Sequence, residues 1–216
     1  MYTPPSFQET DPAVMLDFIA THPFGALVTS SPSTGLFATH LPFLIDRTRG
    51  AHGVLQGHIA RANPHHTLAE AAADAMVIFT GPDAYITPSW YSSKQEHGKV
   101  VPTWNYVAVH VYGTVRFIDD RDFLMQHLDT LTDQHESSHE QPWAMHDAPQ
   151  DFLEQLARAI VGVEIEITRL EGKWKMSQNR SSADIDGVIK GLSTSSSDIA
   201  RAVADEVATR KNLRRH

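Results

Sequence analysis

Trp90, Tyr91, Trp104 and Tyr106 fall in one stretch, residues 81–106 (GPDAYITPSWYSSKQEHGKVVPTWNY), among Ser89, Ser92, Ser93, Lys94, Lys99, Thr103 and Asn105. These 26 residues hold two of the four Trp, three of the five Tyr, three Pro and two Lys. Each ring offers a flat apolar face and a polar edge. The hydroxyl, amide and ammonium groups place donors between the rings. Pro82, Pro88 and Pro102 restrict the backbone that carries them. Such a set suits a flat, anionic, heteroaromatic ligand, whose face stacks on the rings while its charge meets the donors.

A second pattern competes for attention. His135-Glu136-Ser137-Ser138-His139 spells HExxH, which on a helix puts two imidazoles on one face for zinc, with the Glu as general base. The context argues against that chemistry. Two adjacent Ser weaken a helix, Pro142 follows closely, and TDQHESSHEQP has no apolar side to bury in a cleft. With 13 His in the chain, incidental binding of nickel or zinc is the plainer expectation.

The chain has 216 residues, 41% of them hydrophobic and 20% charged, and a net charge of −8. That is enough for one domain with a sizeable core and a helical appendage. An acidic chain is a poor general binder of nucleic acid, whose affinity rests on neutralising phosphates. The basic end RKNLRRH (210–216) reads as a solvated helix terminus that suits the helix dipole. There is no Cys, which excludes disulfides, thiolate metal sites and Cys nucleophiles. The opening MYTPPSFQET has neither a basic nor an apolar signal-peptide region, and no apolar run reaches membrane-helix length. These features fit a cytoplasmic protein.

The elements that must position the aromatic stretch can be read from pattern. Thr10-Asp11-Pro12 starts a helix. Gly25–Ser30, Gly35–His40 (extended through Ile45) and Gly53–Ile59 read as strands, the first two joined by a Ser-Pro-Ser-Thr-Gly turn. Asn63-Pro64 starts a second helix, to about Ala73. Met76–Phe79 and Ala84–Thr87 read as short strands. Tyr106–Ile118 alternates most clearly, with Val107, Val109, Val111, Gly113 and Val115 on one face. Asp119 or Asp120 caps a helix through Leu131, and Pro149 opens another to about Ile160. Val163–Leu170 alternates again, followed by helices near Ala183–Gly191 and Asp198–Lys211. Many strands with few βαβ units indicate an antiparallel barrel within a mainly β, α+β fold. The expected division is a barrel domain over 1–180 and a C-terminal helical extension over 181–216. The last two helices invite a helix-turn-helix reading, but their five-residue Ser/Thr link and the acidic Asp205 and Glu206 make packing on the barrel the stronger expectation.

The segments HLPFLID (40–46), GHIARANPH (57–65), GPDAYITPSWY (81–91), VPTWNYVAVHVYG (101–113) and KMSQNR (175–180) resemble the PaiB-type FMN-binding transcriptional regulators. MYTPPSF (1–7) and DGVIKGL (186–192) are similar to the same family, so the resemblance covers nearly the whole chain. It implies an antiparallel FMN-binding split β-barrel with peripheral helices, and a homodimer with flavin at the subunit interface. It further implies negative transcriptional regulation, through DNA or a regulatory partner. The alternative is a small flavin-dependent reductase or oxidase. A flavin-free barrel that binds another ligand, haem included, is a weaker third.

FMN requires donors for its phosphate, a slot for its ring, and a few hydrogen bonds to the ring edge. No GxGxxG is present, which argues against a Rossmann mode. For the phosphate the expectation is Arg61, and Lys94 with Ser89 and Ser92. For the ring it is Trp90 or Tyr91, with Thr103, Trp104 and Asn105. His58 precedes Arg61 by three residues and is expected to face the same pocket. Gln178, in the KMSQNR segment, completes the set. Each also has a plainer reading: a loop lysine, a surface ion pair, a core or interface aromatic, a satisfied strand histidine, a helix cap. No residue reads as an obligatory general base or nucleophile.

Overall fold

The computed structural model describes residues 1–32, 35–69 and 73–213. In chain order these form β1 (Gln8–Glu9), α1 (Pro12–Thr21), β2 (Phe24–Ser31), β3 (Gly35–Pro42), β4 (Leu44–Asp46), β5 (Val54–Ala60) and α2 (His65–Leu68). Then come β6 (Ala73–Ile86), α3 (Ser93–Glu96), β7 (Thr103–Ile118), α4 (Arg121–Glu136), α5 (Gln150–Ala157), β8 (Ile160–Lys175), α6 (Ser182–Ser193) and α7 (Asp198–Leu213). The strands follow the order β3-β2-β6-β7-β8-β5-β4, with β1 on β8. The pairings β1·β8, β2·β3, β2·β6, β4·β5 and β5·β8 are antiparallel. No helix among the described residues is long and apolar enough to cross a membrane.

The chain divides into two compact units. The first gathers Met1–Met15, Thr80–Val109 and Glu171–His216, and the second Leu16–Phe79 and His110–Leu170. The C-terminal helices α6 and α7 thus group with the 80–109 segment. The second unit contains β2 to β5 and α4 and α5, around a core that includes Leu27, Phe43, Leu55, Val77, Phe79 and Ile165.

Several expectations need correction. The second helix is short: only His65–Leu68 is helical, residues 70–72 lie outside the described residues, and β6 begins at Ala73. The Ala-rich segment has no apolar stripe at helical spacing, whereas Ala75, Val77 and Phe79 alternate into the core beside β2. The two short strands expected at 76–79 and 84–87 are one continuous strand. The turn expected between β2 and β3 lies partly outside the described residues, at 33 and 34. The helix after Pro149 stops at Ala157, because Ile160 already pairs with Ala60. The caps behave as expected: Asp11 accepts from Ala13 N–H at 2.8 Å, and Asp120 from Phe123 N–H at 2.8 Å. The alternating valines of β7 are buried as read.

HExxH does not occupy one helical face. α4 ends at Glu136, whose carboxylate accepts from Trp143 N–H at 2.9 Å, and His139 lies beyond in the turn. The basic end of α7 is not simply solvated either. Arg210 pairs with Glu9 at 2.5 Å and lies 4.6 Å from the Trp174 ring centre, and Lys211 pairs with Asp186 at 2.5 Å. Trp174 and β1 for Arg210, and α6 for Lys211, are partners that no sequence window could show. Arg214, Arg215 and His216 lie outside the described residues.

Candidate functional site

The 87–96 segment is held by short-range capping and by α6. Thr87 Oγ1 accepts from Ser89 N–H at 3.2 Å and starts the turn Pro88–Trp90. Asp184, in the first turn of α6 and only 3% exposed, accepts from Ser93 N–H (3.0 Å), Ser93 Oγ (2.7 Å) and Ser92 Oγ (3.1 Å). Burial alone would raise its carboxyl. The bonds from Ser93 and Ser92 outweigh that and hold the group below its ordinary value. Trp90 rests on Gly187 and Gly191, one helical turn apart. A Cβ on Gly191 would lie 2.3 Å from the indole, and one on Gly187 1.9 Å from the Trp90 carbonyl oxygen.

This scaffold brings Lys94 and Ser89 together, with Lys94 Nζ donating to Ser89 Oγ at 3.2 Å on an exposed rim. It also gives Trp90 and Tyr91 other work than stacking on a ligand. Trp90 seats α6, and Tyr91 is buried with the Arg180 guanidinium 4.7 Å from its ring centre. Burial raises the Tyr91 hydroxyl's pKa, which Arg180 partly offsets.

At the start of β7, Thr103 Oγ1 and the Trp104 carbonyl both accept from Lys175 Nζ, the latter at 2.7 Å. Trp104 is 53% exposed and meets Tyr85, 49% exposed, edge to face at 6.0 Å. Asn105 is fully buried and donates from Nδ2 to Ser177 Oγ at 3.0 Å. Ser177 adopts φ 61°, in the left-handed region. Gln178 closes the same turn, accepting from Met176 N–H and donating to the Trp174 carbonyl, both at 2.6 Å. Asn105 and Gln178 therefore shape the β8 exit through these bonds.

Lys173, Lys175 and Arg180, which flank this region, are not among the ligand contacts expected from the sequence. Lys173, 8% exposed, donates to the Tyr2 carbonyl at 3.0 Å and lies 5.2 Å from the Tyr106 ring centre. Lys175 lies 6.0 Å from the same ring. Burial, then the charges of Lys173 and Arg180, push the Lys175 pKa down. Among the described residues no ion pair joins Lys173, Lys175 or Arg180 to a carboxylate. Their i, i+2 spacing on β8 marks Lys173 and Lys175 as sharing a face. Asp184 also carried a signal, the Ser181-x-x-Asp184 cap, with Asp184 N–H bonded to Ser181 Oγ at 3.2 Å.

His58 and Arg61 belong to the second unit. Arg61 donates to both Asp119 oxygens (2.6 and 2.9 Å), to the Arg158 carbonyl (2.8 Å) and to the Ile160 carbonyl (2.9 Å). A guanidinium has five N–H donors, so this fork is nearly filled by the protein itself. Arg61 thus clamps the start of β8. His58 faces His127 of α4.

The donor set of the first unit fits FMN. Cations without carboxylate partners suit a phosphate, and half-exposed rings at the same strand ends suit an isoalloxazine. The comparisons agree. A family described as "Putative FMN-binding domain" matches residues 1–169. An uncharacterized protein, AN0679, of Emericella nidulans is 34% identical, over 99% of each chain. The protease synthase and sporulation protein PAI 2 of Bacillus subtilis is 33% identical, over 95% of each chain. Among solved structures, the FAD and heme binding protein of Mycobacterium smegmatis superposes with a TM-score of 0.54 at 19% identity, over 83% of this chain and 78% of that one. That likeness bears on the fold, the antiparallel α+β split barrel expected from the sequence. The chain belongs to the PaiB-like FMN-binding family, with FMN as its cofactor.

Proposed function

We propose that this chain holds FMN through its first unit and uses the bound flavin to regulate transcription negatively. The observation that carries the site is the group Lys173, Lys175 and Arg180, free of carboxylate partners among the described residues, beside the half-exposed Trp104–Tyr85 pair. Lys94 with Ser89 supplies phosphate donors, the β8 cations supply charge, and Trp104 with Tyr85 supplies ring faces. Thr103 and Asn105 fix the strand that carries Trp104. When bound, FMN supplies reversible electron transfer at its ring, for which the protein need only provide orientation and electrostatics. A homodimer with flavin at the interface is part of this reading. Exposed Tyr85, Val101 and Trp104 form the apolar surface that favours it.

The regulatory role follows the family resemblance. The net charge of −8 and the pinned Arg210 and Lys211 favour action through a partner protein over direct DNA reading. A flavin-dependent reductase or oxidase is the second reading, because half-exposed Trp104 and Tyr85 leave the ring side open to a diffusible substrate.

Titration of the purified protein with FMN and with riboflavin, which lacks the phosphate, tests the site. FMN should bind more tightly, and Lys94→Ala should erode that preference while leaving riboflavin affinity unchanged. Colourless protein whose titration shifts no absorbance would sink the proposal. Oxidation of NAD(P)H by the FMN-loaded protein would favour the second reading. Retention of promoter DNA against competitor would favour direct DNA binding.

A further inference from the structure

The flavin reading makes no use of a histidine pair in the second unit, His127 buried and His58 half-buried. His58 on β5 and His127 on α4 approach with Nδ1 of the first 3.1 Å from Nε2 of the second. Their rings are 5.2 Å apart and inclined by 70°. His127 is 3% exposed, stacks on Phe123 at 6.1 Å, and its Nδ1 has no hydrogen-bond partner. Burial, with a smaller contribution from His58, lowers the His127 pKa to about 4, and burial lowers that of His58. His127 also lines a cavity of about 250 Å³ with Asp46, Arg49, Gln56, Gln126 and Thr130, which gives solvent and ions a path to the ring.

We propose that His58 and His127 form a two-imidazole site for a divalent d-block cation of the copper or zinc class. The geometry carries the assignment. Two imidazole nitrogens bound to one ion at about 2.0–2.1 Å stand roughly 3 Å apart when they occupy adjacent positions. The observed separation already has that value. Metal entry requires that the hydrogen between the rings move, so that His58 carries N–H at Nε2 and His127 at Nδ1, and that both rings turn until their lone pairs converge on the ion beside the N···N line. Each ring keeps one hydrogen. Among the described residues no third His, Cys, Asp or Glu joins the pair, so cavity water completes the coordination. Imidazole ligands and the general affinity order favour copper(II) over zinc and nickel. The site is independent of the flavin reading, since neither histidine belongs to the first unit.

The test is copper(II) titration of metal-free full-length protein, followed by pulsed EPR. One tight equivalent per chain with two coordinated imidazoles is expected. It should be lost in His58→Ala and in His127→Phe, which keeps a ring against Phe123. It should persist in the double variant His135→Ala/His139→Ala, which removes the surface HExxH imidazoles. If the tight equivalent instead disappears with His135 and His139, or survives both core substitutions, the proposal is overturned. If a core variant does not fold, the imidazole count on the wild-type protein decides, and fewer than two overturns it.

Discussion

Trp90 lies against α6 at Gly191, where its indole occupies the space that a Cβ would take, 2.3 Å away. One turn earlier the Trp90 carbonyl oxygen fills the corresponding space at Gly187, 1.9 Å from an ideal Cβ. This tryptophan is the seat of a helix. The two glycines are the reason that helix can approach.

Gly187→Ala should therefore destabilise the protein. Helix propensity alone would favour Ala by about 1 kcal/mol. The clash is with backbone, which cannot swing aside, so overpacking of about 1–3 kcal/mol should win. A lower urea midpoint at unchanged slope is expected. A midpoint equal to or above wild type would refute the seat.

Asp184 holds the Ser93 N–H and both serine hydroxyls, and so sets where Lys94 and Ser89 stand. Asp184→Asn should reduce the preference for FMN over riboflavin as Lys94→Ala does, with riboflavin affinity little changed. Equal loss for both ligands would mean that Asp184 supports only the general fold. An unchanged ratio in D184N alongside a reduced one in K94A would separate the loop from its support.

Glu164, buried on β8, accepts from Arg49 (2.6 and 2.9 Å), Arg116 (2.9 Å) and Gln56 (3.4 Å). The Arg49 bonds, followed by Gln56 and Arg116 and opposed by burial, hold its pKa below the ordinary 4.5. A lowered native pKa stabilises the fold above the unfolded-state value, and that stability is lost as pH falls through the native value. Glu164→Gln should cost about 1–2 kcal/mol at pH 7, less than a fully enclosed pair would, because water screens both half-exposed arginines. The gap between wild type and E164Q in denaturant melts should close on acidification below 4.5. A gap constant from pH 7 to 3 would contradict the ionised role.

His127 imposes a second acid dependence. Its native pKa of about 4 lies below the ordinary 6.5 because it is buried. Between those values the unfolded chain takes up a proton that the native protein refuses, so stability falls as pH drops from 6.5 toward 4. At about 1.4 kcal/mol per unit, the full loss is on the order of 3 kcal/mol. His127→Phe should flatten this part of the stability–pH curve. A curve of unchanged slope would show that the ring is not held neutral.

Local pattern was enough to read most elements and the ligand class. The alternation of Val107 to Val115 follows from a strand with one buried face, and Asp11 and Asp120 cap their helices through bonds spanning only a few residues. The family resemblance likewise rests on contiguous motifs. Tertiary structure decided which polar and aromatic residues remain available. Arg61 and Lys94 both read as cations for the phosphate, but Arg61 is engaged by Asp119 and two carbonyls near β8, while Lys94 Nζ, among the described residues, meets Ser89. Trp90, Asn105 and Gln178 are engaged by Gly191, Ser177 and Trp174, all distant in sequence or folded back by one turn. Pairing across 70 to 100 residues costs chain entropy that only the assembled core repays, so no window of sequence contains it. The same long-range packing sets His58 beside His127 and leaves Lys173 and Lys175 without carboxylates among the described residues.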